Sequence, residues 1–148
     1  MIIRALATLV CFSLVEAWKI WIDRDRDGIP DALEGGTSPF VVGIDDRSVD
    51  SDHDGMSNTA EFYAGTGPSD HGSVLAIESV TVLPDGLAQV RWQSVAGRSY
   101  VVEYSDDLST WHTLGPTVLG DGSALNATDP TPVRLMPRRA YRVFLADF

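Results

Sequence analysis

The second half of the chain alternates. From Ser73 onward, short apolar and β-branched runs are cut by Gly, Pro and Asp, the pattern of strands joined by tight turns. Val74 to Leu83 predicts a first strand, and Pro84-Asp85-Gly86 a tight turn. From Leu87 to Gln93, Ala88, Val90 and Trp92 fall on one side and Gln89, Arg91 and Gln93 on the other. Ser94 to Arg98 reads as a loop. Tyr100, Val102 and Tyr104 then alternate with Val101 and Glu103. Trp111 to Leu114, Thr117 to Leu119, Ala124 to Thr128 and Ala140 to Leu145 complete the set, with Gly120-Asp121-Gly122 predicting a hairpin. The fold class this implies is mainly β, a small antiparallel β-sandwich over residues 73–148.

The first half shows a different pattern. Arg4 followed by the apolar stretch Ala5 to Val15, then Val15-Glu16-Ala17, predicts a secretory signal peptide over residues 1–17. Eleven apolar residues fall short of the roughly 20 that span a bilayer. Trp18-Lys19-Ile20-Trp21-Ile22 is an apolar run with two destinations, an edge strand on the chain's own sandwich or an addition to a neighbour's sheet. Residues 18–72 otherwise lack hydrophobic periodicity and form an Asp-rich repeat region.

Two segments of that region carry the chemistry. The first runs Asp23 to Glu34 and the second Asp50 to Glu61. Both place oxygen side chains at positions 1, 3, 5, 9 and 12 and Gly at position 6, the EF-hand-like arrangement that wraps a hard cation. In the first, Asp23, Asp25, Asp27, the Ile29 carbonyl, Asp31 and Glu34 are the candidate ligands. In the second they are Asp50, Asp52, Asp54, the Met56 carbonyl, Asn58 and Glu61. All-oxygen donors with a Glu able to bind through both oxygens favour calcium over magnesium, so two Ca2+ ions are expected. Without a cation, three or four carboxylates in one loop repel. Asp45, Asp46 and Asp70 are further acids near these loops whose part in a metal site the sequence leaves open.

The flanks do not complete a helix–loop–helix pair. Gly35 and Gly36 follow the first loop at once, and Ala60 to Ala64 ends at Gly65, a C-cap. Each unit is therefore expected to be a loop followed by one to two helical turns.

Charge follows the loops. Residues 18–72 hold 12 acids against 4 bases, whereas residues 73–148 hold 8 against 6. Such acidity argues against a nucleic-acid partner, which needs a basic face. The single cysteine, Cys11, lies in the leader segment, so disulfides and thiolate metal sites are not expected after cleavage. Calcium would then do the stapling that disulfides do elsewhere.

Asp-x-Asp-x-Asp-Gly recurs after 27 residues. The first copy continues through Glu34-Gly35-Gly36-Thr37-Ser38-Pro39, and the second through Glu61 to Gly65-Thr66-Gly67-Pro68. Over about residues 22–72 this resembles the bacterial thrombospondin type 3 calcium-binding repeat. The dockerin is a weaker match, since its helices are longer. The run from Trp92 to Trp111, with Tyr141-Arg142-Val143, is similar to the fibronectin type III/immunoglobulin-like module at the C-termini of secreted bacterial proteins. At about 75 residues the segment is short of the roughly 100 of that fold, which leaves a strand to be missing or donated.

Catalytic patterns are not found: there is no Gly-x-Ser-x-Gly, His-Glu-x-x-His or phosphate-binding Gly-rich loop, and the three histidines are scattered. A closed calcium sphere also leaves no open position for chemistry. The expectation is a non-enzymatic protein, secreted or on a bacterial cell surface. One reading is a calcium-stabilised structural protein, a subunit of an extracellular assembly whose partners are copies of itself or other surface proteins. The alternative is an adhesion or carbohydrate-binding module with glycan partners, or a dockerin-like recognition module. Trp92, Trp111, Tyr100 and Tyr141 would form the sugar platform, although alternation assigns them first to the core.

Overall fold

The computed structural model describes residues 22–35, 39–135 and 138–146. The expected signal peptide and the run from Trp18 to Trp21 lie outside the described residues. Seven strands form two antiparallel sheets: β1 (Ile77–Val82), β2 (Leu87–Gln93), β3 (Ser99–Ser105), β4 (His112–Thr113), β5 (Val118–Leu119), β6 (Ala124–Pro132) and β7 (Ala140–Leu145). One sheet has the order β1-β2-β6. In the other, β7 lies along one edge of β3, while β4 and β5 share the opposite edge at its two ends. No helix among the described residues is long and apolar enough to cross a membrane.

The alternation sets the core. Val90 and Trp92 of β2 meet Tyr100 and Val102 of β3, with Leu114 closing the cluster. The Trp92 and Tyr100 rings lie 6.1 Å apart. Rings of this size bury enough area to supply about 4–6 kcal/mol each of gross hydrophobic stabilisation. Tyr100 also keeps its hydroxyl satisfied, accepting the N–H of Val95 at 2.8 Å. Tyr141 packs on the same cluster, so three of the four aromatics of the sugar-platform alternative belong to the interior.

Gly120-Asp121-Gly122 is not a hairpin. β5 before it pairs with β3, and β6 after it pairs with β2, so the chain crosses between sheets here. A side chain at Gly120 would stand 2.4 Å from the carbonyl oxygen of Val95, a backbone approach that only Gly permits. Two-residue β5 is too short for the turn residues alone to fix its partner. β6 runs on through Pro130 and Pro132, which an edge strand tolerates because its outer N–H groups are not needed for pairing.

The repeats also differ from one another. The second loop leads into a seven-residue helix, α1 (Asn58–Ala64), capped by Ser57 and ended by left-handed Gly65 (φ 76°). The first leads only into a three-residue 3-10 turn, Asp31–Leu33. Pro30 before it and extended Glu34 after it leave no length for a helix.

Candidate metal centre

The two loops repeat the same backbone geometry. Asp23 accepts the N–H groups of Arg26 (2.6 Å) and Gly28 (3.1 Å) through its two oxygens. Asp50 accepts those of His53 (2.7 Å) and Gly55 (3.1 Å). Asp25 holds Asp27, which holds Ile29; Asp52 holds Asp54, which holds Met56. Each loop curls through left-handed backbone at Arg26 or His53 and again at Gly28 or Gly55. The non-Gly member of each pair costs roughly 1–2 kcal/mol. This curl gathers the carboxylates of Asp23, Asp25 and Asp27 so that one oxygen of each lies within 4.8 Å of the others, and does the same for Asp50, Asp52 and Asp54. Two acidic clusters able to hold a metal ion are thus present.

The position-9 side chains brace the loops. Asp31 accepts the N–H of Arg24 at 3.0 Å and pairs with its guanidinium at 3.2 Å. Buried Asn58 accepts the N–H of Ser51 at 3.0 Å and donates to its hydroxyl at 2.9 Å. Both oxygens therefore already have partners, and any part they take in holding an ion is indirect or shared.

The other oxygens decide the chemistry. Asp25 and Asp27 each keep one buried oxygen with no hydrogen-bond partner, and Glu34 keeps both. In the second loop Asp52, Asp54 and Glu61 keep one each. Glu61, on the first turn of α1, is 0% exposed and receives only the Thr66 hydroxyl, at 3.3 Å. Burial and then the surrounding aspartates raise the pKa values of Glu34 and Glu61 to about 7. Burial also raises Asp27, with Asp46 and Asp25 adding repulsion. An unpaired buried carboxylate is costly enough that a native site supplies a cation or a proton.

Asp46 joins the first cluster. It is 5% exposed; one oxygen accepts the N–H of Val41 at 2.9 Å and the other is buried without a partner. Asp45 instead turns outward to Arg47 (2.7 Å), and exposed Asp70 caps the N–H of Gly72 (3.1 Å). Asp46 follows Glu34 by 12 residues, and the corresponding position before the first loop is Lys19, so no local spacing marks it. Four residues, Asp25, Asp27, Glu34 and Asp46, thus contribute unpaired buried oxygens to the first cluster, against three in the second. Their donor set is all oxygen, which fits a hard divalent cation.

The clusters are tied together. Arg47 donates to the Arg26 carbonyl at 2.7 Å, and the Tyr63 hydroxyl of α1 donates to the Gly28 carbonyl at 2.6 Å. Asn58 N–H bonds the Val49 carbonyl at 2.7 Å. Phe62 of α1 packs edge-on against Phe40. No protein-family model, curated protein sequence or solved structure matches the chain.

Proposed function

We propose that this chain is a secreted or cell-surface, non-enzymatic structural protein whose Asp-rich third is stiffened by two calcium ions. The observation that carries this reading is the set of buried, partnerless carboxylate oxygens in the two loops. Apart from protons, only a bound cation would offset them, and their number and chemistry suit calcium. In the first loop Asp25, Asp27, Glu34 and Asp46 would hold the ion, with Asp23 and the Ile29 carbonyl completing the sphere and Asp31 bracing it. In the second, Asp52, Asp54 and Glu61 would do so, with Asp50, the Met56 carbonyl and Asn58 in the matching places. The ion would supply charge neutralisation and crosslinking, with no reaction.

The resemblance to thrombospondin type 3 repeats and to a fibronectin type III-like module belongs to this reading. It makes the repeats a spacer and the sandwich the part that meets other molecules. Titration calorimetry with calcium tests it. Uptake of two ions per chain is expected, with affinities in the range of extracellular modules, about 10⁻⁴–10⁻³ M or tighter. No heat at millimolar calcium, or uptake unchanged in Glu34→Ala and Glu61→Ala, overturns it.

A further inference from the structure

β1 and β7 are edge strands, one from each sheet, and the seam between them is open. Val80 pairs with buried Val90, and Val82 with buried Ala88. Residues paired directly across strands share a face, so both valines look into the sandwich. They are nevertheless 50% and 63% exposed. Ile77, at the other end of the same strand, packs on the core. Beside the two valines lies a hollow of ≈ 210 Å³ bounded also by Ala88, Val133 and Tyr141. At the opposite end of the seam, α1 and β7 enclose an apolar hollow of ≈ 400 Å³ between Met56, Tyr63, Leu75, Val143 and Leu145. Among the described residues no backbone hydrogen bond joins the outer edge of β7 to another segment. The sheet containing β7 stops one strand short of covering β1.

We propose that Trp18–Trp21 of the same chain adds to the free edge of β7 and closes this seam. Reach supports it. Ile22 is fixed by its carbonyl, which accepts the N–H of Asp31 at 2.7 Å. The loop that Ile22 enters is held to α1 by Tyr63, and Tyr63 itself lines the larger hollow. The four residues before Ile22 therefore start beside the wall of the seam, and four extended residues cover about 13 Å.

Pattern supports it too. Trp18 and Ile20 alternate with Lys19 and Trp21. Trp18 and Ile20 facing inward would fill the hollows and cover the valines. Lys19 and Trp21 would then lie on the outer face, where β7 presents Arg142 and Phe144. A one-residue slip would bury Lys19, so the register is specified.

The test is hydrogen exchange of amides 140–145 in the full chain with calcium present, with amides 87–93 of β2 reporting that the sandwich is folded. Slow exchange on β7, independent of protein concentration, is expected in the wild type. Ile20→Asp should speed it by about tenfold or more. Val82→Glu, a change at a residue already more than half exposed, should do the same, and the double variant should add little to either. Exchange on β7 unchanged by both substitutions overturns the proposal. So does protection that rises with protein concentration or returns to Ile20→Asp on mixing with wild type, since the strand would then come from a second copy. Failure of calcium uptake leaves this result unaffected.

Discussion

Asp46 is where residue-scale physics makes its sharpest demand, because its carboxylate is buried against three others. Asp46→Asn removes one charge from that cluster. It should weaken one of two calcium sites about tenfold, roughly 1.4 kcal/mol, while raising the thermal stability of the calcium-free repeats. Calorimetry and calcium-free melting check the two halves. The glutamates set the pH dependence. Glu34 and Glu61 have folded pKa values raised to about 7 from an ordinary 4.5. The calcium-free fold thus binds more protons than the unfolded chain between those values. Its extra stability is complete below the ordinary value and is lost as pH rises through about 7. Calcium-free repeats should therefore melt lower at about pH 8 than at about pH 5, and calcium uptake near pH 5 should release protons and weaken. A melt that improves with pH in the absence of calcium would contradict this. The Asp ladders were legible because their spacing is local. Asp46 was not, because only the folded connector brings it to Asp27.

At the scale of elements, α1 holds the most. It carries Asn58 and Glu61 for the second cluster and Tyr63 for the first loop. Ser57 accepts the N–H of Ala60 at 3.3 Å, and removing such a cap costs about 1 kcal/mol. Ser57→Ala should lower calcium affinity at both sites, not only at the second. Gly28 and Gly55 separate backbone strain from contact. Both have φ near +100°, but a side chain at Gly28 would meet the Tyr63 hydroxyl at 2.7 Å, whereas Gly55 faces open space. Gly28→Ala should therefore destabilise more than Gly55→Ala, and a Tyr63→Phe background should narrow the difference. The helix caps and the alternation of β2 and β3 were readable from sequence, since each is decided by its own residues. The course of β5 and β6 was not. A Gly-Asp-Gly turn allows a hairpin or a sheet crossing, and the close fit of Gly120 on the Val95 carbonyl decides between them.

On the scale of the whole molecule, two differently stabilised parts share a small boundary. The sandwich has its own lock. Asp129, 1% exposed, accepts from Arg139 (2.8 Å), Tyr141 (3.0 Å) and the N–H of Thr131 (2.8 Å). Burial pushes its pKa up, but these partners outweigh burial and hold it below the ordinary value. Arg139 also grips Asp106 through two bonds, joining β6 to the turn after β3. None of this needs a metal. The repeats touch the sandwich through few bonds: Arg98 to the Phe62 carbonyl (3.3 Å), Leu75 N–H to the Met56 sulfur (3.4 Å), and His71 beside the Asp52 carbonyl (3.2 Å). Chelation should therefore melt residues 23–70 while the β signal persists, giving two thermal transitions. Calcium should raise the first by RT ln(1 + [Ca]/Kd), about 2.7 kcal/mol at a hundredfold excess over Kd. The second should move by only a few degrees, because the boundary bonds are worth about 1 kcal/mol each. Arg98→Ala should reduce that smaller shift without altering the first transition's response to calcium. Differential scanning calorimetry with and without chelator separates these outcomes. A single transition that moves as one with calcium would mean that the repeats and the sandwich fold as one cooperative unit.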